Sequence, residues 1–263
     1  QRILFGSHRA AEHLHKVVAE YAGARLMVIA SGSQRDVAQQ LTAGLNVVLE
    51  YHDVVMHVPA ETAHRARTAA AEHQVDLIVA VGGGSTIGLA KAIALTTQLP
   101  IVAVPTTYSG SEATNMWGIT EHERKTTGVD DAVLPKVIIY DPALLLGLPV
   151  GLSVASGLNG LAHCIDSLWA PRANPINAAL ASEGIRAIRT GLPKIVADPQ
   201  DVDGREHTLY GAYLAATAFA SAGSGLHHKI CHVLGGTYNL PHAQTHATVL
   251  PYVLAFNQAS APD

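Results

Sequence analysis

Apolar positions in the first half of the chain come in short unbroken runs, separated by segments of helical period. RLMVIAS (25–31), DLIVAVGGG (76–84), PIVAVPTT (100–107) and KVIIYDP (136–142) are apolar without alternation. That is the pattern of strands covered on both faces, as in a parallel sheet. Between them, 8–22 puts Ala11, Leu14, Val17, Val18 and Tyr21 on one helical face, and 36–45, 61–74 and 85–95 also read as helices. VVLEYHDVVMH (47–57) supplies one or two further short strands. Strand and helix in alternation predict a doubly wound α/β domain over residues 1–150. From 151 to 263 the texture changes. The stretches 152–170, 174–196 and 206–235 are helical and rich in small residues, and none contains a strand-like run. They predict an all-helical second domain, with the boundary near Pro149–Ser153. The chain stops at QASAPD just after an apolar run, so this domain is expected to be incomplete at its C-terminus.

Composition narrows the class. Apolar residues are 48% of the 263 positions, which excludes disorder as a description of the whole. Charged residues are 14%, against about 25% in a typical globular domain. So little charge points to extensive burial or to an oligomer. The net charge is −4 and basic residues form no run, so a nucleic-acid or anionic-membrane partner is not expected. No stretch of 18 apolar residues occurs, and the opening QRILFGSHRAAEH has no apolar h-region. Cys164 and Cys231 make no disulfide framework and CxxC is absent. The expectation is a reduced, cytoplasmic protein.

Two glycine- and hydroxyl-rich turns follow buried strands. VGGGSTIG (81–88) places Gly82, Gly83, Gly84 and Gly88 between a strand and a helix. There, free N–H groups and the helix dipole suit an anion. The spacing is not the usual dinucleotide fingerprint: Ile87 stands where its last glycine belongs. Nor is it a Walker motif, since Leu89 and Ala90 separate Gly88 from Lys91. The alternative is a tight turn and nothing more. PTTYSGSEAT (105–114) is the second such turn, and two of them at adjacent strand ends fit a nucleotide at a switch-point crevice.

Fifteen histidines are the compositional anomaly. Asn159 and His163 are four apart on a helix, as are His228 and His232, and His242 and His246. Burying unpaired imidazoles costs roughly 1–3 kcal/mol each, so this density in an apolar domain demands a use. Hydrogen-bonded core histidines are the plainer reading, and a metal site the sharper one. HExxH is absent and no Asp or Glu is seen at a ligand spacing. Asn159 stands where a carboxylate would complete the set, and a neutral amide is a poor ligand for a transition metal. Gly-x-Ser-x-Gly does not occur, which excludes a serine hydrolase.

Together GGGST-IGLAK, PTTYSGSEAT, the Asn159/His163 pair and HxxxHxLGGxxNxPH resemble the iron-containing (group III) alcohol dehydrogenase superfamily. SGLNGLAHCIDSLWAP and HHKICHVLGGTYNLPHAQTHATVLPYV are most similar to its maleylacetate reductases. The resemblance spans essentially the whole chain. It implies an N-terminal α/β dinucleotide-binding domain with a parallel sheet and an all-α domain after it, the dehydroquinate synthase-like architecture of group III alcohol dehydrogenases. It implies NAD(P)H-dependent reduction of the conjugated C=C bond of maleylacetate to 3-oxoadipate, in the degradation of aromatic compounds. The other readings are a metal-dependent alcohol dehydrogenase and a non-catalytic nucleotide- or metal-binding protein.

The resemblance also carries site residues. Asn159, His163, His228 and His242 match the ligands of metal-dependent relatives, and His232 a histidine lining the same cleft. With Asn159 in place of Asp, no metal is expected, and these five residues form the catalytic set. Lys229, His227 and His246 are candidates for holding the two carboxylates of a small dicarboxylate substrate. Gly82, Gly83, Gly84, Ser85, Thr106, Thr107 and Ser109 match the pyrophosphate and ribose contacts, and Lys125 a basic residue near the nicotinamide. The loop from Ser31 reaches no acid until Asp36, so NADH and NADPH are both expected as cofactors. The resemblance and the low charge favour a homodimer.

Overall fold

The structure is a computed structural model, and it describes residues 1–122, 124–238 and 240–260. Asn239, part of the histidine-rich motif, and the last three residues lie outside these. The chain folds into two compact units. One comprises Gln1–Thr107 and Ser111–Leu145, the other Tyr108–Gly110 and the chain from Leu146 onward.

The first unit is a six-stranded parallel sheet. Its strands are β1 (Arg2–Phe5), β2 (Leu26–Ile29), β3 (Val47–Tyr51), β4 (Leu77–Gly82), β5 (Ile101–Pro105) and, after a hairpin, β8 (Val137–Tyr140). Their order is β1-β8-β5-β4-β2-β3. Every residue of β2, β4, β5 and β8 is buried, because alternate side chains feed two separate cores. Leu26, Val28, Leu77, Val79, Val102 and Ile139 meet α1 (Ala10–Ala19) and α2 (Arg35–Thr42) on one face. Met27, Ile29, Ile78, Ala80, Ile101 and Ala103 meet α3 (Ala60–Glu72) and α4 (Gly84–Thr97) on the other. Neighbouring strands β2 and β4 therefore send their helices, α2 and α4, to opposite faces. This is the topological switch point at which α/β sheets open a crevice.

Three elements differ from expectation. β1 is four residues long and carries no signal of its own, while 47–57 contains one strand, β3, within the one or two expected. The hairpin β6 (Met116–Glu121) and β7 (Arg124–Val129) pairs antiparallel, apart from the main sheet. β6 is half-buried and β7 is polar and largely exposed, so the hairpin lacks the long buried apolar run that marks the core strands.

The second unit is helical: α5 (Val150–Trp169), α6 (Pro175–Ala197), α7 (Val202–Ala222), α8 (Leu226–Tyr238) and α9 (His242–Gln258). The expected run 206–235 breaks at Gly223, whose φ of +91° lies in the region open mainly to glycine. α9 is a helix the apolar pattern does not predict. Pro241 occupies its N-cap, where a missing N–H is harmless, and Pro251 lies within it. Arg205 on α7 is fully buried. It donates to Ser153 Oγ (2.6 Å), to the carbonyls of Leu148 and Pro199 (3.0 Å each) and to Tyr108 Oη (3.4 Å). That network binds Tyr108 into the helical unit. Among the described residues no helix is long and apolar enough to cross a membrane.

Candidate active site

In the first unit the glycine turn closes β4 and opens α4. Gly82 has φ +157°, and a Cβ on it would lie 2.3 Å from Thr86 Oγ1. Gly83 is the N-cap of α4, and a Cβ there would lie 2.8 Å from Thr107 Cγ2. The Thr106 N–H donates to the Gly82 carbonyl at 3.1 Å, which joins the two turns. Gly82, Gly83, Gly84, Ser85, Thr106 and Thr107 thus form one cradle at the N-terminus of a 14-residue helix. Its bare backbone and helix dipole suit a pyrophosphate. Ser31 stands at the end of β2, across the switch point, with its Oγ 3.1 Å from that of Ser33.

Ser109 Oγ, two residues after Thr107, is buried with no protein partner. Ser109 belongs with Tyr108 and Gly110 to the helical unit. Arg205 holds Tyr108, and Gly110 lies so close to α7 that a Cβ would stand 2.6 Å from that of Ala216. Lys125 is exposed on β7, opposite Thr120.

Beneath the second turn, Lys91 is buried. Its ammonium donates to the carbonyls of Ser111 (2.6 Å), Thr114 (2.8 Å) and Met116 (2.8 Å) and to Thr114 Oγ1 (3.1 Å). Desolvation lowers its pKa to about 7, against the opposing charge of Glu112. Nothing in the sequence around Lys91 marks it for this role.

In the second unit six imidazoles converge. Ring centroids lie 4.7 Å apart for His163–His228 and for His228–His246, and 5.1 Å for His227–His228. They lie 5.0 Å apart for His227–His246, 4.2 Å for His242–His246 and 6.1 Å for His228–His232. Helix α5 supplies Asn159 and His163, α8 supplies His227, His228 and His232, and α9 supplies His242 and His246. The cluster runs from buried rings (His163, His227, His228, His246) to exposed ones (His232, His242). Burial, reinforced by neighbouring rings, lowers the pKa of His163 and His246, and burial lowers that of His227 as well. These three rings are neutral at pH 7.

The contacts differ from ring to ring within this set. His227 donates through Nε2 to the His246 carbonyl (3.0 Å) and turns Nδ1 toward His228 Nδ1 (3.4 Å). Nε2 therefore carries that ring's hydrogen, and Nδ1 is the lone pair that faces the cluster. Lys229 is exposed, outside the group of rings. His246 is fully buried inside it. Asp166 escapes sequence reasoning, although it lies three residues after His163 on the same helix. It is fully buried and accepts from His228 Nδ1 at 2.7 Å. Burial would raise its carboxyl, but hydrogen bonds from His228 outweigh that and hold it below the usual range. Five buried atoms here have no protein partner: Asn159 Oδ1, His163 Nδ1, His228 Nε2 and both nitrogens of His246.

The orphaned atoms also test the site for a metal. One ring nitrogen from each of His227, His228 and His246 lies within 4.8 Å of the others. Three imidazoles are a sufficient protein ligand set for a divalent transition-metal ion. The donor set fits such an ion without a carboxylate, which removes the reason for expecting none.

A doubly wound unit with a phosphate cradle, followed by a helical unit holding buried imidazoles, is the architecture of a nucleotide-dependent oxidoreductase. A family model described as iron-containing alcohol dehydrogenase matches residues 1–142, and one for the C-terminal part of the Fe-containing alcohol dehydrogenase family matches 153–263. The chain belongs to the iron-containing alcohol dehydrogenase family. The maleylacetate reductase of Sphingobium indicum is 48% identical, over 100% of this chain and 74% of the relative. The crystal structure of an iron-containing alcohol dehydrogenase from Corynebacterium glutamicum superposes with a TM-score of 0.98 at 63% identity, over 100% of this chain and 74% of that one. The sulfoacetaldehyde reductase of Bifidobacterium kashiwanohense, solved in complex with NAD+, gives 0.89 at 26% identity, over 97% and 75%. The family's description runs against the expectation of a metal-free protein, in agreement with the three-imidazole set. The nucleotide cofactor agrees with the cradle.

Proposed function

We propose that the chain reduces the conjugated C=C bond of maleylacetate to give 3-oxoadipate, with NADH or NADPH as reductant. The observation that carries this reading is the group of five buried, unpartnered polar atoms in the imidazole cluster. An unmade buried hydrogen bond costs about 1–3 kcal/mol, so such a group is retained for a ligand. When bound, the reduced nicotinamide supplies hydride, and a divalent ion on His227, His228 and His246 would supply a Lewis acid for the ketone oxygen.

The substrate is a dianion whose ketone is conjugated to the double bond. Hydride gained at the carbon β to the ketone leaves negative charge on the ketone oxygen, and a proton at the α carbon completes the reduction. His246 is neutral, so one of its free nitrogens is an N–H donor and the other a lone pair. Its donor stabilises the enolate oxygen, where an interaction made mainly in the transition state raises turnover. The exposed rings His232 and His242 lead from solvent to the buried ones and pass the proton inward. Asn159 adds no second carboxylate beside Asp166, and so no further repulsion of a dianion. The loop after β2 places no acid before Asp36 on α2, which supports use of both nucleotides.

The test is oxidation of NADH and of NADPH with maleylacetate, followed by loss of the reduced-nicotinamide absorbance and repeated after chelation and metal replacement. Turnover with either nucleotide supports the reading. Turnover of simple alcohols with NAD+ and none of maleylacetate overturns it.

A further inference from the structure

His228 carries a hydrogen-bonding pattern that determines which of its nitrogens can react. Its Nδ1 faces two acceptors. Asp166 Oδ2 lies at 2.7 Å, with both residues buried. His227 Nδ1 lies at 3.4 Å. A carbonyl can only accept, so His227 Nε2, 3.0 Å from the His246 carbonyl, carries that ring's hydrogen. His227 Nδ1 is then a lone pair, and it too calls for hydrogen on Nδ1 of His228. Nε2 of His228 has no partner.

Asp166 is itself held in place from several sides. Its Oδ2 also accepts the His228 backbone N–H at 3.1 Å, near the start of α8, where a carboxylate is favoured by the helix dipole. Its Oδ1 accepts from Trp169 Nε1 at 3.3 Å. Gly225 lets the carboxylate approach: a Cβ there would lie 2.5 Å from Oδ1.

We infer that Asp166 is a positioning residue that locks His228 as the Nδ1–H tautomer and so presents Nε2 as a lone pair, to a divalent cation or to the reacting substrate. The inference rests on the proposed reduction only for its kinetic consequence. Carboxylate–imidazole pairs of this kind orient metal-binding histidines, and their loss costs about 10–100-fold in metal affinity or activity. With its hydrogen on Nδ1, directed at Asp166, His228 leaves the role of N–H donor to the enolate to His246.

The experiment uses protein labelled with 15N at its histidine rings. His228 is identified by the signals lost in His228→Gln. In the unaltered protein its Nε2 is expected in the unprotonated form. In Asp166→Asn the Nε2–H form should become populated, because the amide offers Nδ1 a weaker acceptor or a donor. The kcat with maleylacetate should then fall about 10–100-fold with the KM for NADH unchanged, and Asp166→Glu should recover part of the loss. Zn2+ affinity, read by calorimetry on the metal-free protein, should fall by a similar factor. A protonated Nε2 in the unaltered protein overturns the inference even if Asp166→Asn does not fold. An Asp166→Asn protein with unchanged His228 signals and unchanged Zn2+ affinity overturns it as well. Absence of maleylacetate turnover in the unaltered protein would overturn the proposed reaction but leave the tautomer measurement to decide the role of Asp166.

Discussion

Gly83→Ala adds one methyl group to the cradle between β4 and α4. The backbone at Gly83 (φ −88°, ψ −164°) is open to alanine, so the effect is one of space and not of strain. The new Cβ would stand 2.8 Å from Thr107 Cγ2 and 3.1 Å from its Oγ1. An ordinary carbon–carbon contact of about 3.5–4.0 Å requires Thr107 to retreat by roughly 0.7–1.2 Å. Overpacking of this kind costs about 1–3 kcal/mol. Thr107 is a cradle residue and the methyl occupies the surface a pyrophosphate would touch, so the penalty should fall on cofactor binding. At 1.4 kcal/mol per tenfold, Kd for NADH should rise about 5- to 150-fold. The assay is a fluorescence titration of NADH, with Tm measured beside it and the KM for maleylacetate expected to hold. A turn that served only to connect strand and helix would give the opposite split, with a lower Tm and an unchanged Kd. That result would refute the assignment of the cradle.

Further outcomes are expected. His246→Ala should lower kcat about 10²–10³-fold, the usual loss for one oxyanion donor, while NADH binding is retained; near-normal turnover would place the charge elsewhere. Asn159→Asp should raise affinity for Zn2+ in calorimetry and lower turnover of the dianion, because it adds both a ligand and a repelling charge. Lys91 titrates at about 7 when folded and near 10.5 when exposed. Between those values the unfolded chain holds the extra proton, so this residue makes stability rise with pH. The rise is about 5 kcal/mol across the window, and chemical denaturation at several pH values should show it shrinking in Lys91→Met.

The buried strands are legible in sequence because coverage on both faces leaves a signature a single chain can show. RILF at 2–5 is too short for that signature, and the hairpin 116–129 is too polar. The prolines at 241 and 251 make α9 look like loop, though the first caps the helix. Within the site, spacings of four give the faces of three helices and most of the cluster. Spacing does not show how one helix meets another. Asp166 and the inward turn of His227 depend on α5 meeting α8, and the tie of Tyr108 to the helical unit depends on a distant arginine. The three-residue step from His163 to Asp166 is the one local hint.

The order of the sheet bears on how the protein is made. β1 pairs with β8 alone, Phe5 opposite Tyr140. At synthesis rates of about 5–20 residues per second, β1 waits roughly 7–27 s after leaving the ribosome for its neighbour to follow. Once β5 has emerged, its flank that will receive β8 stands open for about 2–7 s of that interval, an apolar edge with unpaired N–H and C=O groups. Long-range parallel pairing is also slow to form in the free chain. The β5 edge is therefore the place where two nascent copies compete with correct folding, and lower expression temperature or chaperone supply should improve yield through that edge without altering the mature active site.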